Sequence, residues 1–149
     1  EEISLGGLTK TTTVTSIDVN AFDADAKLRR LTIHNDESLT VANANVFKAN
    51  QVPGEIVLTG KVPTNDIFAN LLGNATAAAK PVKVYVSANM GWANRPSYLD
   101  APTEAERAEA PGETVLGVYR GGAAAPSGKA LVIHRTGPFD PRGTYLIVR

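Results

Sequence analysis

The sequence predicts a mainly β protein: an antiparallel β-sandwich or small barrel with one or two short helices and an extended N-terminal arm. The first observation comes from the last third, where three β-branched runs are apolar in the middle and end in arginine. These runs are residues 114–120, 129–135 and 144–149, separated by the loops GGAAAPSG and TGPFDP. The second observation is the alternation of valine with lysine, tyrosine and serine in residues 82–88, which predicts another strand.

The N-terminal half adds weaker strand signals. Residues 1–10 contain a Gly-Gly pair and predict an extended arm ahead of the first strand. Residues 11–19 are rich in β-branched residues and predict a strand. Residues 27–34 predict another, because Arg29, Leu31 and Ile33 share one side of an extended chain, whereas the polar residues 35–38 predict a turn. Two further short strands are predicted at residues 45–48 and 55–59.

Two short segments between the strands predict helices. Thr64 precedes residues 65–72, whose apolar positions recur at helical spacing, and a threonine in this position caps a helix. Thr103 and Glu106 have the spacing of a capping box, which predicts one or two helical turns over residues 104–110.

The second helix lies in the longest polar stretch, residues 89–112. Polar segments of this length within a compact domain are typically functional loops or arms. A chain of 149 residues is of single-domain size. We therefore assign residues 1–10 to the arm and residues 11–149 to one β-rich domain with a long polar loop at 89–112.

Composition excludes several classes of partner. The 15 basic residues are balanced by 15 acidic ones, so no overall positive field attracts nucleic acid or an anionic membrane. The absence of cysteine excludes disulfides and thiolate metal sites. No apolar run reaches the roughly 20 residues of a membrane-spanning helix. We expect neither nucleic acid nor membrane among the partners.

The glycine-rich loop before Lys129 superficially matches a phosphate-binding loop. Its spacing is one residue too long, Ala130 replaces the serine or threonine that binds Mg²⁺, and a strand follows where the motif requires a helix. The sequence therefore predicts a hairpin loop and no nucleotide or other cofactor.

The sequence contains no motif for catalysis. His34 and His134 are its two imidazoles, and a metal site would need both to converge from distant strands, so we expect no metal. No serine lies in a Gly-x-Ser-x-Gly motif. We expect a protein that is not an enzyme. The rival hypothesis of a small hydrolase requires an acid or serine within hydrogen-bond reach of either histidine.

The long loop contains the best candidates for an interface. Trp92, Arg95 and Tyr98 have the composition of a protein-binding hot spot or of a sugar-binding platform. Alternatively, Trp92 fills the edge of the core. The apolar residues of the arm are further candidate contacts: Ile3, Leu5 and Leu8.

The arm EEISLGGLTK and the strand pair TVLGVYR and KALVIHR, joined by the Gly/Ala loop, resemble small capsid decoration (cement) proteins of tailed phages. The resemblance implies a non-enzymatic subunit on the virion surface that stabilises the capsid through protein–protein contacts. It implies a capsid or other lattice-forming partner, a homo-oligomer with a trimer favoured, and an arm that clasps neighbouring subunits. The alternative is an extracellular carbohydrate- or surface-binding β-sandwich module that uses Trp92 and Tyr98.

Overall fold

The computed structural model describes residues 1–6, 13–22, 27–42, 46–47, 52–73, 81–87, 90–121 and 130–135. Within these ranges the chain forms eight strands and two short helices. In chain order they are β1 (Glu2–Leu5), β2 (Val14–Ile17), β3 (Arg30–Ile33), β4 (Asn35–Val41), β5 (Glu55–Leu58), α1 (Phe68–Leu71), β6 (Val82–Ser87), α2 (Glu104–Ala108), β7 (Thr114–Tyr119) and β8 (Ala130–Arg135). The prediction of a mainly β protein is confirmed.

The pairing of the strands differs from the prediction. Six strands form one sheet in the order β1-β3-β5-β6-β8-β7, and β2 and β4 form a second sheet. Every neighbouring pair is parallel except β7 and β8, which form the predicted antiparallel pair. The antiparallel architecture is therefore wrong for most of the described strands. Their order in the larger sheet is open from β1 to β7, so these strands form no closed barrel.

The spacing of the strands along the chain is long enough for the parallel arrangement. Glu2 pairs with Arg30, Arg30 with Glu55 and Glu55 with Lys83, so neighbouring strands are 25 to 28 positions apart. Parallel neighbours need a crossover of a dozen or more residues, and these intervals provide it. The chain winds as a coil, in which β1 and β2 form the first turn and β3 and β4 form the second. In each of these turns the first strand lies in the larger sheet and the next strand lies in the smaller one.

Both sheets contribute to one hydrophobic core. The inward row of the larger sheet runs in register through Ile3, Leu31, Ile56, Val84 and Val132. These side chains belong to the same cluster as inward residues of the smaller sheet, namely Ile17, Leu39 and Val41. Burial of this shared cluster is what holds successive turns of the coil together.

The opposite face of the larger sheet is covered at β6 and β8. Tyr85, Leu131 and Ile133 pack there in a second cluster with Val118 and Ala110. Five of the six residues of β6 are consequently buried, which is typical of a central strand in a parallel sheet.

The polar segment predicted as a turn at residues 35–38 is instead the start of β4. Asn35 is 1% exposed, and its side-chain amide donates to the carbonyl of Lys61 at 2.6 Å and accepts from the N–H of Gly60 at 3.2 Å. The turn prediction fails because Gly60 and Lys61, which follow β5, satisfy the buried side-chain amide of Asn35.

The first predicted helix is shorter than expected. α1 has four residues, and the N–H of Phe68 donates to Asp66 Oδ1 at 2.8 Å. Thr64 does not cap it; its N–H donates to the carbonyl of Glu37 at 2.9 Å. The predicted capping box of α2 is confirmed, since Glu106 N–H donates to Thr103 Oγ1 and Thr103 N–H donates to Glu106 Oε2.

Some predicted features lie outside the described residues. These are the strand at residues 144–149, the loop at residues 122–129 and Leu8. Of the strand predicted at residues 45–48, only Val46 and Phe47 are described; both are buried, and neither belongs to a strand.

Candidate interaction site at the open edge of the larger sheet

The strand β1 lies at the end of the larger sheet. It pairs with β3 on one side, and no other described strand pairs with its outer edge. Residues 2–5 are therefore part of the sheet, whereas the sequence predicts an extended arm ahead of the first strand. The reason is that Ile3 and Leu5 continue the apolar rows of β3 and pack against the core.

The backbone of β1 alternates between the two edges. The carbonyl of Leu5 accepts from the N–H of His34 at 2.8 Å, so Leu5 directs its backbone groups toward β3. Backbone hydrogen-bonding direction alternates along a strand, so Ile3 also faces β3, whereas Glu2 and Ser4 face outward. The outward groups form a short edge that no other described strand covers, and such groups can pair with another strand.

The smaller sheet ends at the same turn of the coil. β2 follows β1 along the chain and pairs only with β4 among the described strands. Val14 of β2 is partly buried against the same core as Ile3 and Leu5. The first turn therefore presents two strand edges with the margin of the core between them.

A row of alternating charges crosses the outer face of the larger sheet. Glu2, Arg30, Glu55 and Lys83 are in register on β1, β3, β5 and β6. Arg30 Nη1 lies 3.4 Å from Glu2 Oε1, and Arg30 Nη2 lies 2.6 Å from Glu55 Oε2. Lys83 lies 3.9 Å from Glu113, which precedes β7. Opposite charges on neighbouring strands stabilise their pairing, so this charge row favours the observed register.

Arg30 is the central member of the charge row. Its hydrogen bond to Glu55 raises the pKa of the guanidinium, burial lowers that pKa, and the negative charges of Glu55 and Glu2 raise it further. The arginine therefore remains a cation held between two carboxylates, and its side chain is 26% exposed.

Reversing the charge of Arg30 tests the charge row. We expect Arg30→Glu to lower the free energy of unfolding by about 1–2 kcal/mol at low salt, since it replaces two attractions by two repulsions in a partly exposed setting. The measurement is urea unfolding with and without added sodium chloride. The salt should reduce the difference in free energy of unfolding between the wild type and Arg30→Glu. The matched control is Arg29→Glu at the exposed neighbouring position. Equal losses of stability in Arg30→Glu and Arg29→Glu would contradict the stabilising role of the charge row.

The loop predicted as an interface does not expose its tryptophan. Trp92 is 0% exposed and belongs to the main core, which is the alternative that the sequence left open. Arg95 is exposed, and its Nη1 donates to the carbonyl of Leu99 within the same loop. Trp92 therefore contributes no surface in the described chain, and the expected group of Trp92, Arg95 and Tyr98 is not brought together on the surface.

The burial of Trp92 predicts a simple spectroscopic result. It is the single tryptophan of the chain, so its fluorescence reports one environment. We expect a blue-shifted emission and weak quenching by acrylamide in the folded protein, with both changing to solvent-exposed values in urea. Strong quenching by acrylamide in the folded protein would show that Trp92 is exposed, as the platform predicted from the sequence requires.

Tyr98 belongs to a different aromatic group. Its ring centroid lies 6.1 Å from that of Phe68, and Tyr119 lies 6.2 Å from Phe68 on the end of β7. The hydroxyl of Tyr98 donates to the carbonyl of Pro63 at 3.0 Å. Burial, followed by the negative charge of Asp66, raises the pKa of Tyr98 to about 12, and the same causes raise the pKa of Tyr119. Both phenols are therefore neutral at physiological pH.

The two histidines occupy separate places. His34 Nδ1 lies 3.0 Å from the hydroxyl of Thr59, which is 3% exposed, so this pair fills a position between neighbouring strands. His134 lies on β8, and its Nε2 is buried with no hydrogen-bond partner among the described residues. In the part of the chain that the structure describes, no three His, Cys, Asp or Glu side chains are grouped to bind a metal ion.

Comparisons with known proteins identify no relative. No family profile, curated protein or solved structure matches this chain. Among the described residues, no helix has the length and apolar character needed to cross a membrane.

Proposed function

We propose that this protein is a non-enzymatic structural subunit that acts through protein–protein contacts at the outer edge of β1. Its proposed setting is the virion surface, where it decorates and stabilises a capsid or another protein lattice as a homo-oligomer, with a trimer favoured. The observation that carries the proposal is the end strand of the larger sheet, whose outer edge no other described strand covers.

The chemistry of a strand edge supports this role. A row of outward N–H and C=O groups pairs readily with an extended segment of another chain. Main-chain hydrogen bonds supply attraction without requiring a deep pocket. Repetition of a modest contact over many copies on a lattice gives strong overall attachment through multivalency.

The test uses a substitution that blocks the edge but spares the fold. Proline lacks the N–H group and is tolerated on an edge strand where that group faces outward. We therefore expect Ser4→Pro to retain the folded state but to lose strand addition, whereas the matched control Ser4→Ala retains both. Trp92 emission checks that each variant is folded.

The assay is co-sedimentation of the purified protein with capsids of the virus that encodes it, accompanied by light scattering of the protein alone. We expect the wild type and Ser4→Ala to sediment with capsids to saturation and Ser4→Pro to remain in the supernatant. A wild-type protein that never sediments with capsids would contradict the virion role. Equal sedimentation of Ser4→Pro would contradict the use of the β1 edge. Light scattering should give the mass of a trimer, and the mass of a monomer would contradict the proposed homo-oligomer.

One observation favours the second candidate function, a carbohydrate-binding module. The partly exposed residues Tyr98 and Tyr119 each have a ring in contact with that of Phe68, and the charge of Asp66 acts on both phenols. With Trp92 buried, Tyr119 takes its place in the proposed platform. A glycan array distinguishes the two candidates: binding to a sugar that Tyr119→Ala abolishes supports this module, and an empty array contradicts it.

A further inference from the structure

We infer that the strand which adds to β1 runs parallel to it and follows the pattern basic–apolar–polar–apolar, with its lysine or arginine beside Glu2. This inference rests on the proposed function and deepens it, because it specifies the partner by its chemistry. The occupant is an extended segment of a different protein rather than a second copy of this chain.

The charge row specifies the basic residue. Its signs alternate from Glu113 through Lys83, Glu55 and Arg30, and the row ends at Glu2. Glu2 contacts Arg30 on one side, and its side chain is still 45% exposed. A base placed beside Glu2 continues the alternation and is attracted, whereas an acid placed there is repelled.

The inward rows specify the apolar residues. Leu31 and Ile33 are 0% exposed because strands flank β3 on both sides. Ile3 and Leu5 occupy the same rows but are only partly buried. Apolar side chains on an added strand would complete the burial of Ile3 and Leu5, as β5 does for Leu31 and Ile33.

The strand β3 already displays the complementary pattern. Its residues Arg30, Leu31, Thr32 and Ile33 pair in order with Glu2, Ile3, Ser4 and Leu5. A partner strand that resembles β3 can therefore make the same contacts on the outer edge. By contrast, a symmetric antiparallel pair of two β1 strands that keeps Ile3 on the inner face would place Ile3 opposite Ile3 and Glu2 opposite Ser4, so it provides no base for Glu2. Charge complementarity thus favours a different protein as the occupant.

The experiment uses the full-length protein and labelled synthetic peptides with the sequence of residues 27–35, KLRRLTIHN. Binding is measured by fluorescence anisotropy at low salt. The test peptide carries Arg30→Gln, and the control peptide carries Arg29→Gln, which has the same net charge. We expect the control peptide to bind about two- to fivefold more tightly than the test peptide, the size of one exposed ion pair. That difference should vanish with the protein variant Glu2→Gln.

Each alternative outcome is informative. Equal binding of the two peptides would overturn the inferred charge pattern but leave edge pairing, and with it the proposed function, intact. No binding of any peptide would overturn the inference, and capsid co-sedimentation would then decide the proposed function separately. Self-association of the protein that Ser4→Pro abolishes would assign the edge to a second copy and also overturn the inference.

Discussion

Replacing Gly60 with alanine is expected to lower the free energy of unfolding by at least about 3 kcal/mol. A β-carbon at this position would overlap the carbonyl oxygen of Asn35 and lie 2.6 Å from its backbone nitrogen. These neighbours are backbone atoms and cannot rotate away, so two turns of the coil must separate. The buried amide of Asn35 would then lose its bonds to Gly60 and Lys61.

The matched control for Gly60→Ala is Gly54→Ala. A β-carbon at Gly54 meets no atom within 4 Å, so we expect a change of no more than about 0.5 kcal/mol. Urea unfolding followed by Trp92 emission measures both variants. If Gly60→Ala unfolded at the same urea concentration as Gly54→Ala, the close stacking of β4 on the segment after β5 would be incorrect.

Replacing Glu106 with alanine is expected to lower the free energy of unfolding by about 2–4 kcal/mol. Its carboxylate accepts two hydrogen bonds from Arg120, at 3.0 and 2.7 Å, and also accepts from the N–H of Thr103 at 2.8 Å. The side chain is 7% exposed, so solvent replaces these bonds poorly. The variant therefore loses the capping box and the link between α2 and the end of β7.

Glu109→Ala provides the matched control, because Glu109 is an exposed glutamate at the end of the same helix. We expect this variant to change stability by less than about 0.5 kcal/mol. Urea unfolding at neutral pH separates the two variants, and a comparable loss in both would contradict the structural role of Glu106.

Glu106 also predicts a dependence of stability on pH. The hydrogen bonds from Arg120 lower its pKa, burial opposes that change, and the bonds from Thr103 lower it further. A carboxylate with a lowered folded-state pKa stabilises the protein above its unfolded pKa, and this stabilisation is lost as pH falls through the folded value. In urea unfolding between about pH 3 and pH 7, the wild type should therefore lose more stability on acidification than Glu106→Ala. Parallel curves would contradict this contribution.

Local patterns in the sequence predict the individual elements well. The strand predicted at residues 82–88 is observed as Val82–Ser87, and the capping box of Thr103 and Glu106 is present. Both features depend on residues close together in the chain, where alternation and capping have a direct physical cause. The antiparallel pair of β7 and β8 is likewise predicted from two adjacent runs.

The parallel pairing could not be predicted from the same patterns, because alternation within a strand carries no information on its neighbours. A useful signal is the interval of 25 to 28 positions between β1, β3, β5 and β6, which is long enough for crossovers. The charge row was missed for the same reason: Glu2 and Arg30 are neighbours only after parallel register is known. The burial of Trp92 depends on tertiary packing, so composition alone left its two interpretations open.

Amide hydrogen exchange along β1, resolved by NMR in the isolated protein, shows directly whether the outer edge of this strand is open. We expect slow exchange at Ile3 and Leu5, whose N–H groups face β3, and fast exchange at Ser4, whose N–H faces the open edge. Fast exchange at all three amides would contradict the pairing of β1 with β3. Slow exchange at all three would contradict the open edge on which the proposed function depends.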